Sequence, residues 1–185
     1  MSQKEPDDVT LTPARGAAPL AIIVMGVSGS GKSTLGSLLA RALDCPFLEG
    51  DDFHSVEAIA KMRAGHPLSD VDRWPWLDRL GEAVGTAART HGRAVATCSA
   101  LKRRYRDRLI AATAGSVRFV LLDTDRDELV ERLQHRAHHY MPASLLDSQL
   151  DSLELPAPDE PVLALDAHHS PSELCYAAIT WAQGT

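Results

Sequence analysis

Asparagine is absent from this 185-residue sequence, and cysteine is scarce. Without asparagine, the chain has no N-glycosylation site and cannot carry the Asn-Lys-x-Asp signature with which GTPases recognise guanine. Its three cysteines, Cys45, Cys98 and Cys175, are widely spaced and include no Cys-x-x-Cys pair. This pattern argues against a disulfide framework or a zinc site, and it makes a reducing cytoplasm the expected compartment.

Long apolar runs and excess basic charge are also missing. The longest apolar run near the N-terminus, residues 17–25, is interrupted by Pro19, so we expect neither a signal peptide nor a membrane anchor. Lys and Arg number 19 against 25 Asp and Glu, which gives a formal net charge of −6 and argues against general nucleic-acid binding. The sequence therefore predicts no nucleic-acid partner and no membrane partner.

Length and composition fit one globular domain with an additional tail. Hydrophobic residues make up 44% of the chain and charged residues 24%, a balance that is typical of globular proteins. Residues 1–18 mix charge, proline and glycine without any period, which predicts a disordered tail. Residues 19–185 are then expected to form a single domain.

Strand-like and helix-like segments alternate through this domain. Short, mainly apolar runs, the first of them rich in Ile and Val, predict strands at 19–25, 46–49, 93–98, 117–122 and 162–165. Amphipathic periodicity and cap signals predict helices at 32–43, 55–64, 74–90, 102–113, 126–136, 142–153 and 171–182. The alternation predicts an α/β fold in three layers, with a five-stranded parallel sheet covered by helices on both faces.

A phosphate-binding loop follows the first predicted strand. Residues 26–33, GVSGSGKS, match G-x-x-x-x-G-K-[ST] and lie between a strand and a helix, the context that a P-loop requires. Lys32 would reach the β- and γ-phosphates of a nucleotide, and Ser33 would hold Mg²⁺. Thr34 occupies the place of the third glycine of a dinucleotide-binding fingerprint, which excludes that motif. The candidate ATP-binding residues are Gly26, Ser28, Gly29, Ser30, Gly31, Lys32, Ser33 and Thr34.

The second predicted strand ends in a run of acidic residues and a histidine, residues 49–54. Ligands of parallel sheets collect beyond the carboxyl ends of the strands, so these side chains would face the nucleotide. One carboxylate could accept the proton of an attacking hydroxyl group and support Mg²⁺ through water. Alternation of side chains leaving a strand favours only one of Asp51 and Asp52 for this role. The alternative is a polar turn that caps the next helix.

These runs and several others resemble the gluconokinase family of small P-loop kinases, which is related in architecture to shikimate and nucleoside monophosphate kinases. The resemblance covers nearly all of residues 22–153. The shared runs are 26–34, 50–54 with 61–62, 67–73 with 75–77, 98–102 with 105–107, and 139–142 leading to Gln149. The resemblance implies a P-loop kinase fold with a short lid at about 137–142. It also implies a homodimer that transfers the γ-phosphoryl group of MgATP to the 6-hydroxyl of D-gluconate, giving 6-phospho-D-gluconate and ADP.

The resemblance further implies roles for individual residues. Lys32 and Asp51 would be catalytic, with Asp51 receiving the acceptor proton. Ser33 and Asp51 would hold Mg²⁺, and Arg132 and Arg136 would approach ATP from the lid. Substrate contacts would come from Asp51, His54, Lys61, Arg73, Lys102, Arg106 and His139.

The residue types suit such a substrate. Gluconate carries one carboxylate and several hydroxyl groups, so its site needs cations and polar groups. His54 and Lys61 are two helical turns apart and would share a helix face. Lys102 and Arg106 form a like-charge pair at i,i+4 that an anion between them would stabilise. The alternative for residues 102–108 is a solvated basic surface.

Other interpretations stay open from the residues alone. Arg132 and Arg136 could simply complement the dipole at a helix end. The nearest enzymatic alternative is a kinase for another small hydroxy acid, such as shikimate. The alternative from another class is a nucleotide-sensing module without turnover, against which the intact Lys32, Ser33 and Asp51 argue.

Overall fold

The computed structural model of the protein describes residues 18–134 and 143–184. The strands in this part of the chain are β1 (Leu20–Met25), β2 (Phe47–Leu48), β3 (Arg93–Cys98), β4 (Ser116–Asp123) and β5 (Val162–Asp166). The helices are α1 (Lys32–Ala42), α2 (Val56–Arg63), α3 (Asp70–His91), α4 (Arg103–Thr113), α5 (Arg126–Gln134), α6 (Ala143–Ser152) and α7 (Pro171–Gln183), with a 3₁₀ helix at Gly50–Phe53. Every predicted strand and helix is therefore present.

The strands form one parallel sheet in the order β2-β3-β1-β4-β5. At the carboxyl end of β1, Met25 is in register with Cys98 of β3 and Leu121 of β4. The loops that follow these strands consequently open at a single edge of the sheet, where ligands of this architecture collect. The predicted α/β fold with a five-stranded parallel sheet is confirmed.

The core lies on both faces of the central strand. Alternate residues Ala21, Ile23 and Met25 pack with α3 and α4 on one face. Ile22 and Val24 pack with α1 and α7 on the other. A strand covered on both faces needs apolar residues in succession, which explains why its sequence is a continuous apolar run rather than an alternating one.

Helix α3 begins at Asp70, four residues before the start predicted at residue 74. The Ser69 side chain accepts a hydrogen bond from the Asp72 backbone, and the Asp72 carboxylate accepts one from the Ser69 backbone N–H at 2.7 Å. This reciprocal capping box fixes the earlier start. Arg73 therefore lies in the first turn of α3, and Pro75 lies in the second.

Two predicted segments fall outside the described residues: the lid at 137–142 and all but residue 18 of the tail at 1–18. Within residues 18–134 and 143–184, every helix is too short or too polar for a membrane span.

Candidate active site

The P-loop connects β1 to α1 in a backbone conformation that its glycines permit. Gly26, Gly29 and Gly31 have φ angles of 141°, 88° and 100°, a range that side chains with a Cβ rarely adopt. A Cβ on Gly26 would lie 3.0 Å from both the carbonyl oxygen of Leu122 and Oγ of Ser30. The motif therefore reflects a steric requirement of the loop.

The loop leaves groups available for an anion. Gly31 precedes α1 and provides no side-chain cap, so the first backbone N–H groups of the helix stay open to a ligand. The Ser30 hydroxyl is buried and has no hydrogen-bond partner among the described residues. Lys32 Nζ donates to the carbonyl of Val27 at 2.9 Å, which curls the ammonium group over the loop. These features fit the phosphates of a nucleotide.

Arg132 of α5 extends to the P-loop. Its Nη1 donates to the Ser30 carbonyl at 3.2 Å, and its Nη2 donates to the Ala167 carbonyl at 2.8 Å. The same guanidinium group is paired with Glu128, one helical turn away. Arg132 thus links the P-loop to the loop after β5, beside the predicted phosphate site. Arg136 lies outside the described residues.

The acidic run after β2 is held against β3 by its glycine. A Cβ on Gly50 would lie 1.9 Å from the Thr97 carbonyl oxygen, so no larger residue fits there without movement of the turn. The Gly50 N–H donates to Thr97 Oγ1 at 3.0 Å, and its carbonyl accepts from Trp76 Nε1 at 2.7 Å. The Thr97 hydroxyl donates in turn to Glu49.

Asp51 follows directly on this fixed position, and its side chain is 79% exposed. Asp51 and Asp52 lie in the 3₁₀ helix Gly50–Phe53, which has about three residues per turn. The prediction that Asp51 and Asp52 point to opposite sides assumed an extended strand end, and this assumption is wrong because the segment is a 3₁₀ helix. Both carboxylates are open to solvent, and Asp51 is the one close to His54.

His54 is buried beside Asp51. Its side chain is 4% exposed, stacks on Trp76 with ring centroids 4.1 Å apart, and places Nε2 4.0 Å from Oδ1 of Asp51. Burial lowers the pKa of His54 to about 4, against the opposing effect of Asp51. The ring is therefore neutral near pH 7. Its Nδ1 is buried without a hydrogen-bond partner among the described residues, which leaves it suited to a ligand hydroxyl.

A cluster of cations surrounds Tyr105 and Asp70 where β3 leads into α4. The Tyr105 hydroxyl donates to Asp70, whose carboxylate also lies 2.6 Å from Arg104 and 3.7 Å from Lys102. The Arg73 guanidinium carbon is 5.5 Å from the Tyr105 ring centroid. The Tyr105 hydrogen bond, together with the neighbouring cations, holds the pKa of Asp70 below its ordinary value. One carboxylate among three cations leaves net positive charge for an anionic substrate.

The thiol of Cys98, at the end of β3, is buried. Burial raises the pKa of Cys98 to about 12, and the charges of Asp51, Lys32 and Arg73 lie near enough to act on it as well. The P-loop and the acidic turn also contact this strand end directly, because the Gly26 N–H donates to the Ser99 carbonyl at 3.3 Å and the Gly50 N–H donates to Thr97 Oγ1 at 3.0 Å.

Two predicted substrate residues have other partners. Lys61 Nζ lies 2.6 Å from the capping carboxylate of Asp72. His54 lies before α2, so the helical spacing that placed it on one face with Lys61 does not apply.

Arg106 is 1% exposed and does not form an anion-binding pair with Lys102. Its guanidinium group binds Glu160 at 2.5 and 3.0 Å and three backbone carbonyls. Arg106 is therefore a structural residue in this arrangement.

Sequence reasoning did not identify some residues that shape the site. Thr97 and Trp76 hold the acidic turn, and Arg104 joins the cations at Asp70. Gln149 was identified only as the end of a run shared with the family, and the structure shows that it accepts a hydrogen bond from the P-loop backbone. Its contact crosses 121 positions of the chain, so no local spacing could have indicated it.

A parallel sheet of this order, with a P-loop after its central strand and carboxylate and cation groups at the neighbouring strand ends, defines a P-loop kinase. A family model described as an AAA domain matches residues 22–156. A gluconokinase from Gluconobacter oxydans (strain 621H) is 48% identical over 84% of this chain and 87% of its own length. A thermosensitive gluconokinase from Escherichia coli (strain K12) is 41% identical over 86% and 87%.

A solved structure agrees with these relatives. The crystal structure of a gluconokinase from Sinorhizobium meliloti 1021 has a TM-score of 0.80 and 44% sequence identity, and the match covers 89% of this chain and 92% of that one. The chain therefore belongs to the gluconokinase family.

Proposed function

We propose that this protein is an ATP-dependent gluconate kinase, which transfers the γ-phosphoryl group of ATP to the 6-hydroxyl of D-gluconate. The observation that carries the proposal is that the P-loop and the acidic turn bearing Asp51 both contact the end of β3. The same strand leads into the cluster of cations around Tyr105 and Asp70. A phosphate site, a proton acceptor and a carboxylate partner are the three components that phosphorylation of a hydroxy acid requires. Membership of the gluconokinase family supports this substrate.

On the nucleotide side, we assign phosphate binding to the P-loop and to the start of α1. Lys32 would stabilise charge on the transferring phosphoryl group, and Arg132 would supply further positive charge beside Ser30. Ser33, exposed at the start of α1, and Asp51 would hold Mg²⁺, which neutralises the β- and γ-phosphates when bound. Arg136 remains a proposed ATP contact.

On the acceptor side, Asp51 would orient the 6-hydroxyl and take its proton. Phosphoryl transfer depends more on positioning than on early deprotonation, so an exposed carboxylate on a rigid turn suits the role. Arg73 and Lys102 would bind the gluconate carboxylate. Neutral His54 would hydrogen-bond a hydroxyl group through its unpartnered Nδ1. Lys61 and His139 remain proposed substrate contacts.

We also propose a cytoplasmic homodimer. The cytoplasmic location rests on the three free cysteines, Cys45, Cys98 and Cys175, and on the family's small metabolic substrate. Multi-angle light scattering of the purified chain tests the dimer, and a mass of one protomer, 20.0 kDa, contradicts it.

The function is tested by following ADP release with a panel of acceptors and identifying the product by mass spectrometry. We expect Mg²⁺-dependent turnover with D-gluconate that exceeds turnover with shikimate and with buffer alone by at least about 100-fold. Preference for another hydroxy acid would support the alternative kinase. ATP binding without turnover on any acceptor would support the sensing module.

A further inference from the structure

Gln149 of α6 makes a direct contact with the P-loop backbone. Its side-chain amide oxygen accepts a hydrogen bond from the Ser28 N–H at 2.7 Å. Ser28 lies in the first half of the loop, before the N–H groups at the start of α1 that face a phosphate. The backbone here is thus held by a side chain of the protein, while the second half of the loop is left for the ligand.

Helix α6 is also fixed on both sides of this contact. Leu146, one turn before Gln149, is buried in a cluster with Val27 of the P-loop, Leu101 and Leu129. After the helix, the Glu154 N–H donates to the Leu101 carbonyl at 2.8 Å. Because the chain is held by packing before Gln149 and by a hydrogen bond after it, the Gln149 side chain has a well-defined position.

The same helix is connected to the loop that carries Lys102. The Glu154 carboxylate accepts from the Arg103 N–H at 2.8 Å, directly after Lys102. The Gly26 N–H donates to the Ser99 carbonyl at 3.3 Å, which joins the first half of the P-loop to the end of β3. Gln149 therefore acts on the part of the P-loop that borders the acceptor side.

We propose that Gln149 is a positioning residue for phosphoryl transfer, which fixes the Ser28 segment of the P-loop so that the nucleotide and the acceptor hydroxyl stay in line. The inference rests on the proposed kinase function. Binding of ATP relies mainly on the loop's second half and on Lys32, so the loss of Gln149 should affect transfer more than nucleotide affinity. A displacement of about 1 Å between reacting groups can cost about 100-fold in rate.

The test is Gln149→Met, which preserves side-chain length and packing but accepts no comparable hydrogen bond. Gln183→Met, at an exposed position of α7, is the matched control. The kinetics are measured well below the melting temperatures of both variants. We expect kcat with gluconate to fall by about 10- to 100-fold in Gln149→Met, while its KM for ATP changes by less than about threefold. The control should retain wild-type values.

A second readout separates positioning from general loosening of the fold. If nucleotide and acceptor are misaligned, water competes for the phosphoryl group, so ADP should exceed 6-phosphogluconate in Gln149→Met but match it in the wild type. If Gln149→Met fails to fold, Gln149→Asn, whose shorter side chain cannot span the distance, is measured instead. Wild-type kcat with full coupling, or a loss confined to KM for ATP, overturns the proposal. Absence of gluconate turnover in the wild type would instead contradict the proposed function.

Discussion

At the scale of single residues, the site combines exposed charges with one buried neutral imidazole. Asp51 is exposed on a rigid turn, whereas His54 beside it is enclosed against Trp76. An exposed carboxylate is accessible to an acceptor, and a buried neutral ring can donate or accept a hydrogen bond without bringing charge. These different environments lead to separate predictions for the two residues.

Asp51→Asn should lower kcat by about 10²- to 10⁴-fold, because the amide preserves shape but cannot accept the acceptor proton. ATP affinity should stay within a few-fold of wild type, since the P-loop is unchanged. Asp52→Asn is the matched control and should lose less than about fivefold in kcat. Steady-state kinetics and nucleotide titration check both. A more severely impaired Asp52→Asn enzyme would reverse the assignment.

His54 should make the protein less stable in mild acid. Burial lowers its pKa to about 4, so between about pH 6.5 and 4 the unfolded chain binds a proton that the folded protein excludes. The free energy of unfolding therefore falls as pH decreases, by about 2 kcal/mol from this group between pH 7.5 and 5.0. Urea unfolding of His54→Phe, which keeps a ring on Trp76, should show a correspondingly smaller change. Exposed His66→Phe is the control, and an equal pH response in all three proteins would contradict the prediction.

Arg106→Met should destabilise the protein by about 3–5 kcal/mol, because it leaves the buried Glu160 carboxylate without its partner. Glu160 is 6% exposed in the folded protein. Arg108→Met removes a more exposed pair with Asp78 and should cost about 0–1 kcal/mol. Denaturant unfolding measures both. Below its melting temperature, Arg106→Met should keep KM for gluconate within about threefold of wild type, and a rise of tenfold would restore Arg106 to the substrate site.

At the scale of elements, the site depends on how closely loops approach neighbouring strands. The P-loop is held by Arg132 from α5 and by Gln149 from α6. The acidic turn after β2 is held against β3 through Gly50. The exposed side chain of Asp51 is thus placed by the buried contact of Gly50 with Thr97.

Gly50→Ala should disturb both stability and catalysis. Its new Cβ would lie 1.9 Å from the Thr97 carbonyl, so the turn that carries Asp51 must move. We expect a loss of about 2 kcal/mol or more together with a fall in kcat. Gly115→Ala is the control, because a Cβ there meets nothing nearer than 3.9 Å. Unfolding and kinetic measurements on both variants check this, and a fully active, stable Gly50→Ala protein would show that the turn adapts.

At the scale of the whole molecule, the described residues already contain the sheet and both of its packed faces. The two larger cores lie on opposite sides of β1, and the third joins the P-loop to α5 and α6. The domain should therefore fold without the segment that precedes β1.

A chain that begins at Ala18 should keep its melting temperature within about 2 °C and its kcat within about twofold of the full chain. The reason is the aperiodic, charged composition of the preceding residues, which favours neither a helix nor a strand. Differential scanning fluorimetry and the coupled assay check this. A loss of several degrees would indicate that the segment docks on the domain.

The sequence by itself determined the features that depend on neighbouring residues. The P-loop could be predicted because glycine φ angles and the strand–loop–helix order are local. The same is true of the alternation of strands and helices. The start of α3 is also local, since Ser69 and Asp72 form a capping box, although the helix was predicted to start at residue 74.

Only the tertiary structure decided which charged residues serve the site. In the sequence, Arg106 and Arg104 are equivalent members of one basic run, yet the fold buries Arg106 against Glu160 and turns Arg104 toward Asp70. Gln149 gains its contact with Ser28 in the same way, across 121 positions. Such roles follow from burial and from long-range partners, and the spacing of residues along one helix or strand does not encode either of them.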